Sequence, residues 1–141
     1  MAGGYMGKLL FVNLSTGELQ DEVLDEQLCK DYIGGYGIGA RVLYSRQKAG
    51  IDPLGPEATL GFMTGPLTGT PATFGARFAV VGKSPLTGGI AKSEVGGFWM
   101  AELKRAGYDA IIVEGRADKP VYLWINDGVA SIRDASHLWG K

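Results

Sequence analysis

Glycine is the residue that most limits what this chain can fold into. It occupies 23 of the 141 positions, roughly twice its average share of about 7%. The glycines stand between well-patterned apolar segments, so the chain is not of low complexity. Because glycine allows positive φ and close backbone approach, the sequence predicts many tight turns and a surface where a neighbour or a ligand lies against the backbone.

The charge balance and the cysteine count exclude several classes of protein. Fourteen Lys plus Arg against 15 Asp plus Glu give a formal net charge of -1, so no global basic field attracts nucleic acid or an anionic membrane. Cys29 is the only cysteine, which excludes an intrachain disulfide and an iron–sulfur cluster held by this chain alone. No apolar run approaches the roughly 18 residues that a membrane helix needs. We expect a single domain over residues 1–141, located in the cytoplasm, with no nucleic acid or membrane partner.

The apolar pattern predicts an α+β fold with mostly antiparallel sheets. Asp25 is a suitable N-cap for a helix over residues 26–33. The glycine-rich stretch at 34–39 is expected to break or interrupt that helix before it resumes over 40–48. A third helix is expected at 98–106. Strands are predicted at residues 8–13, 18–23, 59–64, 77–83, 89–95, 109–114, 121–126 and 129–133. Most strands follow one another without an intervening helix, which favours antiparallel pairing. The prediction is at least six strands and two or three helices.

The strongest local signal is the dipeptide Asp127-Gly128. It lies between two β-prone runs and is a preferred sequence for a two-residue type I′ turn. The sequence therefore predicts a β-hairpin with its turn at these two residues.

The run at residues 35–40 formally matches the dinucleotide-binding fingerprint G-x-G-x-x-G/A. That fingerprint needs a buried strand before it and a crossover helix after it, whereas here an amphipathic helix precedes it. Helix breaking and close packing are the favoured interpretation. His137 is the only histidine and Cys29 has no partner cysteine, so the sequence shows neither a nucleophile nor a site with two histidines for a metal.

The segment 65–97 has the composition of an anion site. It contains two Pro-Leu-Thr-Gly turns, Arg77, two lysines and the pair Gly96-Gly97. Free backbone N–H groups at glycine turns form concave anion sites, and an Arg side chain can grip a phosphate with two parallel hydrogen bonds. The alternative is that the turns only reverse the chain and that Arg77 is a solvated residue at a strand end.

Eight sequence blocks, four of them in or overlapping this segment, occur in a fixed order along the chain. They are VNLSTG (12–17), DPL (52–54), GPLTGT (65–70), GARF (75–78), KSPLTG (83–88), GGFWMAELK (96–104), AGYDAIIVEG (106–115) and IRDASHLWGK (132–141). In these blocks and their order the sequence resembles a known family, the N-terminal domain of the tungsten-containing aldehyde:ferredoxin oxidoreductases. The resemblance covers nearly the whole chain from Met6 to Lys141.

The resemblance implies that the chain is part of a duplicated α+β saddle on which a tungsten (or molybdenum) bis-pterin cofactor rests. A magnesium ion bridges the two pterin phosphates in that family. Arg77 matches an arginine that contacts the cofactor phosphates, and Gly96 and Val95 match cofactor-binding positions, Gly96 through its backbone. Glu94 stands where the family often has an asparagine whose main-chain carbonyl binds the magnesium. A carbonyl contact survives this difference, but Glu94 adds negative charge near the phosphates.

The resemblance also implies a function for the full-length protein, the oxidation of aldehydes to carboxylic acids with ferredoxin as electron acceptor. The family's 4Fe-4S cluster is held by cysteines of later helical domains that are absent here, as is the second half of the saddle. This chain alone is therefore not expected to be active. It should associate with the remainder of the enzyme or form a homo-oligomer. The alternatives are the tungsten subunit of an aromatic acyl-CoA reductase and a non-catalytic β-rich interaction domain.

Overall fold

The computed structural model describes residues 3–73 and 75–141. It confirms the α+β class: the described part of the chain has eight strands, three α-helices and one short 3-10 helix. In chain order they are β1 (Lys8–Asn13), β2 (Glu18–Val23), α1 (Glu26–Tyr32), α2 (Tyr36–Arg46), β3 (Leu60–Thr64), β4 (Arg77–Lys83), β5 (Ile90–Gly96), α3 (Trp99–Arg105), β6 (Ala110–Glu114), β7 (Val121–Asn126), β8 (Val129–Asp134) and the 3-10 helix Ser136–Leu138. Within the described residues, no helix has both the length and the apolar character needed to cross a membrane.

Six strands form one sheet in the order β2-β1-β6-β3-β4-β5, and β7 and β8 form a separate hairpin. Every strand pair is antiparallel except β1 with β6, which is parallel. The prediction of mostly antiparallel pairing is thus confirmed. Strand β5 lies at one edge of the sheet, so one of its sides has no partner strand among the described residues.

Both faces of the six-stranded sheet are covered. Helices α1 and α2 pack on one face, where Ile38 and Val42 meet Val81 of β4 in a buried apolar cluster. On the other face, Met100 and Leu103 of α3 form a second buried cluster, together with partly buried residues of the β7–β8 hairpin. The sheet is therefore the middle of three layers, and alternate residues of β4 point to the two clusters.

Helix α1 begins as the sequence predicts. The Asp25 carboxylate accepts hydrogen bonds from the backbone N–H groups of Gln27 and Leu28, at 2.5 and 3.2 Å. These bonds satisfy two donors that the first turn of a helix leaves without an intrahelical partner.

The turn at Asp127-Gly128 is also confirmed. Both residues have positive φ, 47° and 79°, as a type I′ turn requires. The flanking strands pair in register from Val121 with Asp134 to Asn126 with Val129.

Helix α2 begins earlier than the sequence predicts. It starts at Tyr36 and contains Gly37 and Gly39, although glycine is a poor helix former. The reason is tertiary packing: a Cβ on Gly39 would lie 2.6 Å from Val81 Cγ2 and 2.8 Å from Met63 Cγ. Only a residue without a side chain lets this turn of the helix approach the sheet so closely.

The close approach predicts that Gly39→Ala destabilises the protein. In a solvated helix this change stabilises by about 1 kcal/mol, but here the added methyl group overpacks the interface, at a cost of about 1–3 kcal/mol. Urea unfolding measures the difference. Ser45→Ala, at an exposed position of the same helix, is the control and should change stability by about 0.5 kcal/mol or less. A Gly39→Ala protein more stable than the parent would contradict the packing argument.

Candidate functional site

Arg77 lines a cavity of about 220 Å³ on the face of the sheet that carries α1 and α2. We call it the Arg77 cavity. Its walls come from the start of α2 with the residues just before it, from Gly65 and Pro66 after β3, and from β4 and Glu94 of β5. The cavity therefore joins the anion-site segment of the sequence to the glycine-rich stretch at 34–39.

The backbone of Arg77 is fixed by the first Pro-Leu-Thr-Gly turn. The Thr68 hydroxyl donates a hydrogen bond to the Arg77 carbonyl at 2.8 Å and accepts one from the Gly65 N–H at 3.0 Å. Thr68 is buried, so this hydroxyl holds the turn and the strand together out of solvent. The turn is a structural support for Arg77, a role that the residue types alone did not reveal.

The Arg77 side chain is exposed. No carboxylate in residues 3–73 or 75–141 forms an ion pair with it. Its guanidinium group is therefore available to an anion from outside these residues, as both the composition and the resemblance predict.

The pairing of β4 with β5 determines which backbone groups of β5 are available. Gly97 N–H donates to the Ala76 carbonyl at 3.1 Å, and Ser84 N–H donates to the Gly89 carbonyl at 2.8 Å. Hydrogen-bonded and non-hydrogen-bonded pairs alternate along an antiparallel ladder. The backbone groups of Glu94 and Gly96 therefore point away from β4, toward the open edge, whereas those of Val95 point to Phe78.

The same register sorts the side chains by face. Arg77 lies opposite Gly96, and Ala79 lies opposite Glu94, so these positions share the face that carries α2. Val95 lies opposite Phe78, with its side chain on the other face. The structure brings Arg77, Glu94 and Gly96 together and sets Val95 apart, so Val95 stays a prediction without support from this geometry.

Glu94 is paired with a lysine on its own strand. Its carboxylate lies 2.8 Å from Lys92 Nζ. The hydrogen bond from Lys92, then the Lys92 charge and the more distant Arg77 charge, hold the pKa of Glu94 below its usual value. Lys92 Nζ also lies 5.3 Å from the centroid of the Tyr36 ring. Sequence reasoning noted Lys92 only as a member of the segment, although the spacing Lys-x-Glu on a strand places both side chains on one face.

The corner before α2 is a strained turn. Ile33 has φ 64° and ψ −64°, and Gly34 N–H donates to the Tyr32 carbonyl at 2.7 Å, which together define a γ-turn of the rare kind. The Tyr5 hydroxyl donates to the Ile33 carbonyl at 2.6 Å, and Gly35 N–H donates to the Thr64 carbonyl at 2.8 Å. These bonds hold the wall of the Arg77 cavity in place.

Other candidate residues lie elsewhere. His137 is in the exposed 3-10 helix, and Cys29 is buried among apolar side chains of α1 and α2, where burial raises the pKa of its thiol. Helix α1, not a strand, precedes the run 35–40, so the dinucleotide fingerprint lacks its structural context. Within the described residues, no group of three or more His, Cys, Asp or Glu side chains is arranged to hold a metal ion.

The site fits the phosphates of a pterin cofactor by the chemistry of its donors. Arg77 offers a charged fork, and Gly96 offers backbone groups at an open edge without a side chain in the way. The Glu94 carbonyl offers an oxygen ligand of the kind that magnesium prefers. Among the described residues that line the Arg77 cavity, Glu94 is the one acidic residue, and its carboxylate is paired with Lys92.

Comparison of folds defines the class of protein. The chain superposes over its whole length, with a TM-score of 0.96 and 43% identity, on 22% of a chain of the active-site complex BamBC of benzoyl coenzyme A reductase in complex with 1,5-dienoyl-CoA. This chain therefore has the fold of about a fifth of that longer chain.

Comparison of sequences gives the family. Residues 9–141 match the family described as aldehyde ferredoxin oxidoreductase, N-terminal domain; the chain belongs to this family. It is 54% identical over 138 residues to a tungsten-containing aldehyde ferredoxin oxidoreductase of Pyrococcus horikoshii, covering 98% of this chain and 23% of the relative. An enzyme of the same description from Pyrococcus furiosus is 51% identical over the same shares. The chain thus spans about a quarter of the length of these relatives.

Proposed function

We propose that this domain is the cofactor-binding base of a tungsten-dependent oxidoreductase. The observation that carries the proposal is the arrangement around Arg77, whose side chain has no ion-pair partner among the described residues. Glu94 lines the same cavity, and Gly96 lies opposite Arg77 on the open edge strand β5. Family membership supports it, because the relatives are described as containing tungsten. Molybdenum in place of tungsten would use the same protein contacts.

The residues of this chain bind and orient the cofactor. Arg77 would hold a pterin phosphate through its guanidinium fork, and the Glu94 carbonyl would provide an oxygen ligand for the cofactor's magnesium ion. Gly96 would let the pterin approach the backbone, since no side chain stands between them. When bound, the tungsten–pterin group supplies the two-electron redox chemistry. The rigid β4–β5 ladder keeps these contacts in fixed positions relative to one another.

For the whole enzyme we propose the oxidation of an aldehyde and water to a carboxylic acid, with release of two electrons and two protons. The electrons would pass through a 4Fe-4S cluster to ferredoxin in the cytoplasm. The cluster's ligands would lie outside this chain, because Cys29 is its only cysteine. The remaining part of the enzyme would also provide the second half of the saddle and the substrate pocket.

A second candidate function is that of the tungsten subunit of an aromatic acyl-CoA reductase. One observation favours it, the match to the benzoyl coenzyme A reductase complex. This domain forms only one side of the active site, so its residues say little about the substrate. The higher identity to the aldehyde enzymes, 51–54% against 43%, makes aldehyde oxidation the first choice.

The test uses the enzyme at its natural length, purified without oxygen. Near-stoichiometric tungsten or molybdenum together with pterin is the expected result, and a metal-free, pterin-free folded enzyme would instead support the non-catalytic interaction domain. Reduction of ferredoxin with a panel of aldehydes is expected. Activity with aromatic acyl-CoA thioesters and none with aldehydes would select the second candidate.

A further inference from the structure

We propose that Lys92 is a positioning residue that neutralises Glu94 and so keeps Arg77 available to the phosphate of an anionic ligand. The inference rests on the proposed function of the Arg77 cavity. It explains how the site can bind an anion although the Glu94 carboxylate, which is itself negative, lies beside Arg77.

The Glu94 carboxylate competes with an incoming phosphate for the Arg77 guanidinium group. Glu94 and Arg77 both line the Arg77 cavity and lie on the same face of the sheet. Because Arg77 lies opposite Gly96 and Glu94 is two residues before Gly96 on β5, the two side chains are diagonal neighbours on this face. Without another cation nearby, the Glu94 carboxylate would pair with Arg77 or repel an incoming phosphate.

The position of Lys92 allows it, in place of Arg77, to pair with the Glu94 carboxylate. Two residues apart on β5, Lys92 and Glu94 point to the same face, and their charged atoms are 2.8 Å apart. The ring of Tyr36, 5.3 Å from Lys92 Nζ, lies on the helix side of the lysine. Lys92 thus holds the carboxylate toward the middle of β5, while Arg77 lies opposite Gly96 at the strand's end.

The local charge then suits an anion. Lys92 and Glu94 cancel each other, and the positive charge of Arg77 remains. The other lysine of the 65–97 segment, Lys83, lies at the opposite end of β4 from Arg77. It donates to the Ile51 carbonyl at 2.7 Å and does not line the Arg77 cavity. The ligand class that this arrangement recognises is a phosphate group.

The experiment compares four variants of the full-length holoenzyme: Lys92→Met, Lys92→Arg, Glu94→Gln and the double variant Lys92→Met/Glu94→Gln. The readout is the rate at which bound tungsten is lost during dialysis against metal-free buffer. Lys92→Met should lose tungsten roughly five- to tenfold faster than the parent, as expected for one uncompensated charge several ångströms from a phosphate. Lys92→Arg should remain close to the parent, because it keeps the charge.

The double variant decides between charge compensation and a structural role. Removing the carboxylate as well should return the loss rate to within about twofold of Glu94→Gln alone. The defect of Lys92→Met should also shrink as salt rises, because salt screens an exposed charge. If the double variant loses tungsten as fast as Lys92→Met, or if Lys92→Met behaves like the parent, the inference is overturned.

Arg77→Leu in the same dialysis separates this inference from the function on which it rests. Fast loss from Arg77→Leu with no effect of Lys92→Met would overturn the role of Lys92 alone. Loss from Arg77→Leu at the parent rate would overturn the phosphate site itself. Circular dichroism should show the same fold in all variants, since the Lys92 and Glu94 side chains are each 45% exposed.

Discussion

Lys104→Met is expected to lower the free energy of unfolding by about 3–5 kcal/mol, the largest effect we expect from a single substitution. Lys104 and Asp109 form an ion pair of 2.6 Å, with side chains only 6% and 5% exposed. Methionine fills a similar volume but leaves the Asp109 carboxylate buried without its cation. Urea unfolding measures the loss.

Asp109 connects three parts of the fold, which is why its charge matters. Its second carboxylate oxygen accepts from the N–H groups of Met6 and Gly7, at 2.8 and 2.6 Å. Its carbonyl accepts from Thr64 at 3.0 Å through the backbone N–H and at 2.7 Å through the hydroxyl. Lys104 also donates to the Gly4 carbonyl. The pair thus ties the N-terminal segment to the loops that form the wall of the Arg77 cavity.

Two further variants separate a buried charge from a generally sensitive position. The double variant Lys104→Met/Asp109→Asn should recover part of the stability, because an amide is less costly to bury than an unpaired carboxylate. Arg105→Met removes the next cation along α3, whose ion pair with Glu102 is exposed, and should cost about 1 kcal/mol or less. Equal losses from Lys104→Met and Arg105→Met would contradict the buried-pair argument.

Arg77→Leu in the full-length enzyme is expected to weaken cofactor retention about a hundredfold while the fold is kept. A bidentate arginine–phosphate contact that the ligand partly desolvates is typically worth ~2–3 kcal/mol. Arg77→Lys should recover only part of the retention, because lysine keeps the charge and loses the planar fork. The measurement is tungsten and pterin per folded protein after gel filtration.

The control for Arg77 is Arg41→Leu, which removes an exposed arginine of α2 that does not line the Arg77 cavity. It should leave cofactor content unchanged. If Arg77→Leu, Arg77→Lys and the parent all hold the same amount of tungsten and pterin, Arg77 is a solvated strand-end residue. Stability should then differ by about 0.5 kcal/mol or less.

Features decided by neighbouring residues could be predicted from the sequence. The Asp25 cap and the Asp127-Gly128 turn depend on the chemistry of a few consecutive residues, and both are confirmed. The strands could be predicted because an alternating or apolar run carries its own pattern. The family was recognisable because its blocks occur in order, and the match over residues 9–141 confirms it.

Features that join distant residues depend on the tertiary structure. The parallel pairing of β1 with β6 and the ion pair of Lys104 with Asp109 across the buried end of α3 have no signal in local pattern. Helix α2 contains glycines, although glycine has a low helix propensity. The close packing of α2 on Val81 outweighs that intrinsic cost.

For the candidate site, the sequence by itself determined the residue types: an arginine at a strand start, glycines for close approach and an acid near them. Only the tertiary structure decided how they act together. The register of β4 with β5 assigns Arg77, Glu94 and Gly96 to one face and Val95 to the other. The physical reason is that a β-ladder alternates the direction of side chains and backbone groups at every residue. A site at its edge therefore depends on which residue pairs with which, and this pairing is a property of two strands rather than of either one alone.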